Sequence, residues 1–349
     1  MHKKYLLNNP YSKCFILSIF SLLSNLSWSQ NDTIVLKNND KIIGEIKAMD
    51  RGVATVKTDY SDSDFKITWI DIKSVRSNQT YLITLSSGKR INSSLNTKTG
   101  DEAKVTVLEE GTEITIPIED IVYIKPVKDD FLSRIVASVS VGYNITKSNN
   151  LRQFSINSNL SYTAYKWLLT GSYNSVRSNQ DDVAETQRTD ASLGFKYFMK
   201  NDWFYSNDAS FLSNDEQKLK LRSTVKGGLG KYFVHSNKLF FGSGFGIAWN
   251  NEQFSDDMNT NRNSMEAYAN VTLNMFDFSD FSLNTDLTFY PSLTESGRYR
   301  ADYNLNLKYD LPLDFFIKLG LTYNYDSKPV EGASVSDYVF QSTFGWEFN

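Results

Sequence analysis

Few side chains in this sequence are of types that perform catalysis. His2 and Cys14 precede residue 30, so His235 is the only histidine in the remainder of the chain. A serine hydrolase needs a histidine within hydrogen-bond reach of its nucleophile, oriented by a third group. His235 opens the short polar stretch His235-Ser236-Asn237, which is a poor scaffold for such a base. We therefore expect no catalytic residues and no enzymatic activity.

Two acidic pairs and two glycine clusters are the remaining candidates for ligand binding. Asp181-Asp182 and Asp256-Asp257 offer oxygen ligands, but neither pair has the spacing of a calcium-binding loop. Gly227-Gly228-x-Gly230 and Gly242-x-Gly244-x-Gly246 fall inside alternating segments, where glycine eases curvature or leaves room beside a strand. We therefore expect no metal site and no cofactor.

The segment from Arg298 to Leu311 shows which kind of element positions these residues. Tyrosine, alanine or leucine occupies every odd position, and a charged or amide side chain occupies every even position. This period of two predicts a strand with one apolar and one polar face. Similar segments recur from Ile135 to Phe348 and predict about twelve antiparallel strands.

The connections between these segments favour one kind of all-β fold. The even-numbered connections are short, whereas most odd-numbered ones are long and polar, as in Arg177 to Arg188, Asn251 to Ser264 and Asp326 to Asp337. Outer-membrane barrels have short periplasmic turns and long extracellular loops. The pattern predicts an antiparallel transmembrane β-barrel of about 12 strands over residues 131–349, located in the bacterial outer membrane with both termini in the periplasm.

Aromatic residues lie where such a barrel meets the membrane surfaces. Trp167 and Trp203 begin strands and Trp346 nearly ends the last one, which predicts a periplasmic girdle, and Trp249 falls near the outer interface. The last segment, Tyr338 to Phe348, resembles the C-terminal assembly signal of bacterial outer-membrane barrels. This resemblance implies outer-membrane lipids and the barrel assembly machinery as partners.

The polar faces of the strands would line the lumen. The lumen-lining candidates are Lys220, Arg222, Lys226, Glu266, Asp286, Arg300, Asp302, Lys308 and Asp310. Both signs of charge are mixed, so we expect no strong ion selectivity. The interior of a barrel of about eight strands is filled by side chains, whereas a barrel of about sixteen strands encloses a channel. A barrel of intermediate size leaves both a narrow pore and a plugged lumen open.

The N-terminus predicts export. Lys3, Lys4 and Lys13 precede an apolar run from Cys14 to Leu26 and then small residues, which predicts a signal peptide over residues 1–29. No run of about 20 apolar residues exists, which excludes a helical membrane protein. The formal net charge is -3 and no basic cluster occurs, so we expect no nucleic-acid partner.

Residues 31–126 contain an internal duplication and predict a periplasmic β-module. A shift of 49 positions aligns copy 33–77 with copy 82–126 without a gap, matching Ile34 with Ile83, Ile42 with Ile91, Val56 with Val105, Ile67 with Ile116 and Ile72 with Ile121. Each copy begins with a hairpin turn, at Asn38-Asn39-Asp40 or Ser86-Ser87-Gly88. We expect two SH3-like or Sm-like small barrels, or one fused pair. The module either binds a periplasmic protein partner or acts as a spacer, and residues 127–130 form a linker to the barrel.

Two segments of the barrel region carry a resemblance to a known family. Val139-x-Val-Gly-Tyr143 and Asp190-Ala-Ser-Leu-Gly-Phe-Lys-Tyr197, after a signal peptide and a short β-rich module, resemble the salt-induced outer-membrane proteins described as domain of unknown function 481. The resemblance covers residues 131 to 349. It implies an outer-membrane barrel and carries no established catalytic or ligand residues.

Two functions fit these features. The first is a non-enzymatic barrel that acts as a small passive channel or an envelope-stress protein. The alternative is a closed barrel that anchors a partner-binding periplasmic module in the membrane. An outer-membrane hydrolase is disfavoured because the chain is poor in histidine.

Overall fold

The protein, seen in a computed structural model, forms two antiparallel sheets, one of nine strands and one of twelve. The structure describes residues 32–127, 134–147, 150–215, 219–255, 261–278, 280–313, 315–329 and 335–346. The predicted signal peptide, most of the linker, Asp256-Asp257 and Phe348 lie outside these ranges. Among the described residues, no helix is long and apolar enough to span a membrane.

The first sheet makes up the N-terminal module. Its strands are β1 (Asp32–Leu36), β2 (Lys41–Asp50), β3 (Val53–Lys57), β4 (Phe65–Thr68), β5 (Ile72–Leu85), β6 (Arg90–Asn96), β7 (Lys104–Glu109), β8 (Thr112–Pro117) and β9 (Ile121–Pro126). Two single 3-10 turns, Trp69–Asp71 and Ile118–Asp120, precede β5 and β9. The predicted hairpin turns are confirmed, because the main-chain nitrogen of Leu36 donates to Asp40 and that of Leu85 donates to Lys89.

The two copies of the duplication share strand β5. Ile34 of β1 pairs with Val75 in the first half of β5, and Ile83 in its second half pairs with Ile124 of β9. Equivalent positions of the two copies also touch each other. The Tyr81 hydroxyl donates to the Asp32 carboxylate at 2.7 Å, and the two residues are 49 positions apart. The Trp69 indole nitrogen donates to the main-chain oxygen of Ile118 at 2.8 Å, again 49 positions away.

The two copies also bury a common apolar core. Ile46, Trp69 and Val56 of the first copy pack in one cluster with Val105 and Ile124 of the second. Strands β2 and β9, which come from different copies, pair through Met49 and Ile124. The module is therefore a fused pair and not two separate small barrels.

The second sheet, called the barrel sheet below, is a meander in which each strand pairs with the next. Its strands are β10 (Ile135–Thr146), β11 (Leu151–Thr163), β12 (Trp167–Gln180), β13 (Val183–Phe198), β14 (Trp203–Asn214), β15 (Leu219–His235), β16 (Leu239–Phe254), β17 (Asn261–Phe278), β18 (Phe281–Pro291), β19 (Tyr299–Asp310), β20 (Phe315–Asp326) and β21 (Ser336–Trp346). The predicted twelve antiparallel strands are confirmed. In the described part of the chain, β10 and β21 are the two ends of this order.

Several strands are longer than the alternation of apolar residues predicts. The prediction of a loop from Arg177 to Arg188 was wrong. Pairs such as Arg177 with Gln187 continue the strand pairing up to the turn at Asp181-Asp182. Pairing between Asn251 and Asn263 likewise extends strands into the expected loop from Asn251 to Ser264. These extensions are rich in Ser, Thr, Asn and Gln, so they lack an apolar face. Main-chain hydrogen bonds still hold them in the sheet, where Arg177 also pairs with Phe154 of β11 and Asn251 with Ser223 of β15.

Candidate membrane surface and lumen

The outer face of the barrel sheet is an exposed apolar surface. The register aligns large apolar side chains from strand to strand, as in the row Tyr197, Tyr205, Leu229 and Phe245, which continues through Ala269 to Phe289. The large side chains of this row are exposed, as are Val139, Leu193, Ile247 and Phe344 elsewhere on the same face. An apolar surface of this extent suits contact with lipid and not with water.

The four predicted interface tryptophans lie on this surface or at its rim. Trp167 begins β12 and stacks on Tyr162 with ring centroids 4.9 Å apart. Trp203 begins β14, and the Trp346 indole nitrogen at the end of β21 donates to the main-chain oxygen of Leu313 at 3.0 Å. Trp249 is 43% exposed on β16. The first three share the rim formed by the even-numbered connections, as expected of a girdle.

Ion pairs fill the inner face near the opposite end of the strands. Arg222 donates to Glu252 at 2.7 Å, and Arg298 lies 3.7 Å from the other oxygen of that carboxylate. The Arg298 guanidinium donates to both oxygens of Asp326, at 3.1 and 2.6 Å. Glu252 is only 2% exposed, and the Arg298 side chain only 1%. Each buried charge therefore has a partner, as burial requires.

The loop between β18 and β19 ties this cluster to a further arginine. Glu295 accepts hydrogen bonds from Arg262, which also donates to the main-chain oxygen of Lys328 at 2.9 Å. The hydrogen bond from Arg262 lowers the pKa of Glu295, with a further contribution from the Arg298 charge. The carboxylate therefore stays ionised and ties the β18–β19 loop to Arg262 of β17.

A second buried pair lies one layer deeper. The Arg300 guanidinium donates to both oxygens of Glu266, at 2.9 and 2.6 Å, and Glu266 is 0% exposed. The Arg300 guanidinium carbon also lies 4.9 Å from the centroid of the Tyr290 ring. Asp302 faces the charges of Arg300, Arg222 and Lys226. Together with the layer above, these side chains form a cluster of paired charges, called the ion-pair plug below.

Two cavities occupy the rest of the inner side. The first, of about 440 Å³, is lined by residues from β12 to β18, including Asp286, which accepts hydrogen bonds from Asn270 at 2.8 Å and Thr272 at 2.6 Å. The second, of about 540 Å³, lies against β17 to β21. Asn274 lines both. A sheet whose non-adjacent strands line one cavity is curved around it.

The structure separates the nine predicted lumen residues into groups. Arg222, Glu266, Arg300 and Asp302 belong to the ion-pair plug, with Lys226 below them, 5.9 Å from the Tyr268 ring. Asp286 lies at the first cavity, and Lys308 at the second, 2.7 Å from Asp310. Lys220 is exposed at a register shift near the start of β15. That these residues line an open channel stays a prediction.

One comparison identifies the barrel sheet. A family model described as protein of unknown function, DUF481, matches residues 139–348. The chain belongs to the DUF481 family. The match runs from within β10 to just beyond β21, so the DUF481 region and the barrel sheet coincide. No curated protein matches the chain. The family's description assigns no function, so the salt-induced character implied by the resemblance stays a prediction.

The N-terminal module packs against the rim of the DUF481 region. Asn237, in the turn between β15 and β16, donates to the main-chain oxygens of Glu119 at 2.9 Å and Ile121 at 3.0 Å. The Tyr165 hydroxyl donates to the main-chain oxygen of Arg90 at 2.6 Å. The Lys125 ammonium donates to the Thr163 hydroxyl at 3.2 Å. Module residues thus contact two turns of the barrel sheet, the one between β11 and β12 and the one between β15 and β16.

Arg90 is a second charged group in this contact. Its guanidinium lies 4.3 Å from the centroid of the Phe198 ring, and its Nε and Nη1 atoms are buried without a hydrogen-bond partner. Burial lowers the pKa of Arg90 to about 10. Burial also raises the pKa of Tyr123 nearby. The contact between the two units is therefore partly desolvated.

His235 lies beside the same contact and is largely buried, although the sequence places it in a short polar stretch. It is the last residue of β15, its side chain is 12% exposed, and its Nδ1 lies 2.8 Å from the Asp202 carboxylate. The ring packs edge-on against Phe240. Across the described ranges, no group of three or more His, Cys, Asp or Glu side chains is arranged to hold a metal ion.

The sequence did not reveal Asn237, Arg90, Tyr165 or Arg298 as functional candidates. Their roles depend on contacts between segments more than 25 residues apart, as in the Arg298 to Asp326 pair at a separation of 28. Asn237, Arg90 and Tyr165 are near or within predicted turns, so only tertiary packing distinguishes them from ordinary turn residues. Arg298 begins the alternating segment, and the alternation does not show which of its polar side chains are buried.

Proposed function

We propose that this protein is a non-enzymatic outer-membrane β-barrel whose lumen is closed, with the N-terminal module held at its periplasmic mouth. The observation that carries the proposal is the ion-pair plug. Glu252, Glu266 and Arg298 are almost completely buried there, so little water reaches the charges that a channel would expose. The exposed apolar outer face and the tryptophan rim support the membrane location.

The module supports the same proposal from the other end. It contacts the turns that contain Tyr165, Asp202 and Asn237, and Arg51 at its β2–β3 turn lines the second cavity. Solute leaving the lumen at this rim would meet the module. The barrel then acts as an anchor that positions the module, and through it a periplasmic protein partner, at the inner surface of the outer membrane.

Planar-bilayer recording tests this proposal. We expect the refolded full chain to insert, as shown by heat-modifiable gel mobility, and to pass no steady current. Arg298→Ala should admit water to the plug and produce intermittent current. Asp190→Ala serves as the matched control, because the Arg188–Asp190 pair is exposed and lies outside the plug. Steady current through the unmodified chain would refute the closed barrel.

A small passive channel is the second candidate, and a specific observation favours it. Ser138, Ser140, Asn157 and Asn159 on the inner side of β10 and β11 remain exposed. These short polar side chains leave space on the wall opposite the ion-pair plug. Steady current that persists after the module is removed by deletion of residues 31–126 would support this candidate.

A further inference from the structure

The second cavity contains polar side chains that closing the barrel does not require. Its volume of about 540 Å³ falls within the range typical of small-molecule sites, about 300–1,000 Å³. Its walls come from β17 to β21, and Arg51 of the module reaches it from the periplasmic side. The cavity therefore lies between the two units of the chain.

The register of the strands sorts the lining side chains into two rows. In the first, called the amide row, Asn274 pairs with Asn284 and Asn284 with Asn306, and the row continues through Gly320 to Gln341. In the second, called the basic row, Lys308 pairs with both Ser282 and Lys318, and Lys318 pairs with Thr343. Four amide side chains thus lie above two adjacent lysines.

The basic row leaves positive charge without full compensation. Lys318 is exposed, and its ammonium lies 4.4 Å from the Phe316 ring; among the described residues no carboxylate forms an ion pair with it. Lys308 pairs with Asp310 at 2.7 Å. Arg51 makes only a long contact, 3.8 Å, with Asp50. Adjacent cations of this kind bind an anionic group favourably.

The amide row supplies the groups that hydroxyls require. An amide side chain both donates and accepts hydrogen bonds, so a row of them matches a chain of hydroxyl groups. The Asn274 oxygen is buried without a hydrogen-bond partner, and a buried acceptor normally has one. The row has a gap at Gly320. The atom nearest to a Cβ added there would be the Asn306 side-chain oxygen, at 3.6 Å.

We propose that this cavity binds a small hydroxylated organic anion of sugar-acid or sugar-phosphate size. The hydroxyl groups bond to the amide row, and the carboxylate or phosphate lies between Lys318, Lys308 and Arg51. The inference rests on the proposed closed barrel, because a closed lumen makes the cavity a chamber entered from the periplasm. Since Arg51 belongs to the module, the ligand contacts both units and strengthens their docking.

Calorimetric titration of the full chain in detergent micelles tests the site. The probes are gluconate, glucose 6-phosphate and neutral glucose. We expect one or both anions to bind, with glucose at least about tenfold weaker. Lys318→Ala should weaken anion binding about tenfold to a hundredfold, because one charge-assisted hydrogen bond is lost. Lys318→Arg should retain anion binding. Whichever of gluconate and glucose 6-phosphate binds more tightly shows whether the site prefers a carboxylate or a phosphate.

Two further variants separate the site from general charge effects. Gly320→Met fills the gap in the amide row and should abolish binding of both anions without altering any charge. Lys220→Ala removes an exposed lysine near the other end of the strands and should leave binding unchanged. Absence of saturable binding by the heat-modifiable wild-type chain, or equal affinity in Lys318→Ala, would overturn the proposal. Bilayer recording on the same preparation reports the closed barrel independently, so failure of one proposal is distinguishable from failure of the other.

Discussion

The pair between Glu266 and Arg300 allows the ion-pair plug to be tested through stability. Glu266→Ala removes a carboxylate that is 0% exposed and leaves the Arg300 guanidinium, whose side chain is 12% exposed, without its two hydrogen bonds. Each charge-assisted hydrogen bond contributes about 1.5–3 kcal/mol, and breaking a buried pair from one side costs about 3–5 kcal/mol. The Tyr290 ring still contacts the guanidinium and offsets part of the loss. We expect the free energy of unfolding to fall by about 3–4 kcal/mol.

The double variant Glu266→Leu with Arg300→Met isolates the cause of this loss. Replacing both charges by apolar side chains of similar size is often nearly neutral, so the double variant should recover most of the stability. The assay is equilibrium urea unfolding in lipid vesicles, followed by tryptophan fluorescence. Asp190→Ala is the control, and loss of that exposed pair should cost less than about 1 kcal/mol. A Glu266→Ala variant no less stable than this control would refute a plug made of buried ion pairs.

Three further predictions concern the module and its docking. Tyr81→Phe should lower the stability of the module by about 1–3 kcal/mol, since the buried Asp32 carboxylate loses the hydroxyl donor at 2.7 Å, as thermal unfolding would report. Gly88→Ala should destabilise the chain more than Gly111→Ala. Both positions have positive φ, but only at Gly88 would the added Cβ come within 2.5 Å of Asp202. Equal losses of stability in the two variants would argue against docking of the module on the barrel sheet. Burial lowers the pKa of Arg90 to about 10, below its value in the unfolded chain, so above pH 10 the unfolded state binds more protons. Stability should therefore rise with pH above about 10 more steeply in the wild type than in Arg90→Met, and parallel pH profiles of urea midpoints would contradict this.

Local sequence pattern determined the barrel sheet and the duplication. Strict alternation, as at Tyr299 to Asp310, places the apolar side chains on one side of an extended backbone and the polar side chains on the other, so the strands and their two faces follow from the period alone. The offset of 49 residues aligned the two copies because each copy repeats the same apolar positions. The hairpin turns followed from the residues that tolerate positive φ, such as Asn39 and Gly88.

Only the tertiary structure decided what these elements do together. Strand extension beyond Arg177 and Asn251 depends on pairing between neighbouring main chains, which leaves little trace in polar residues. Whether the two copies share β5 depends on which strands pair along its edges. The partners of Arg298, Arg300 and Arg90 come from distant strands or from the other unit, and their distances decide whether a charge is buried, paired or free to bind an anion. The two-residue period of the sequence specifies which face of a strand each side chain occupies. The curvature of the sheet and the docking of the module then bring particular side chains on that face into contact.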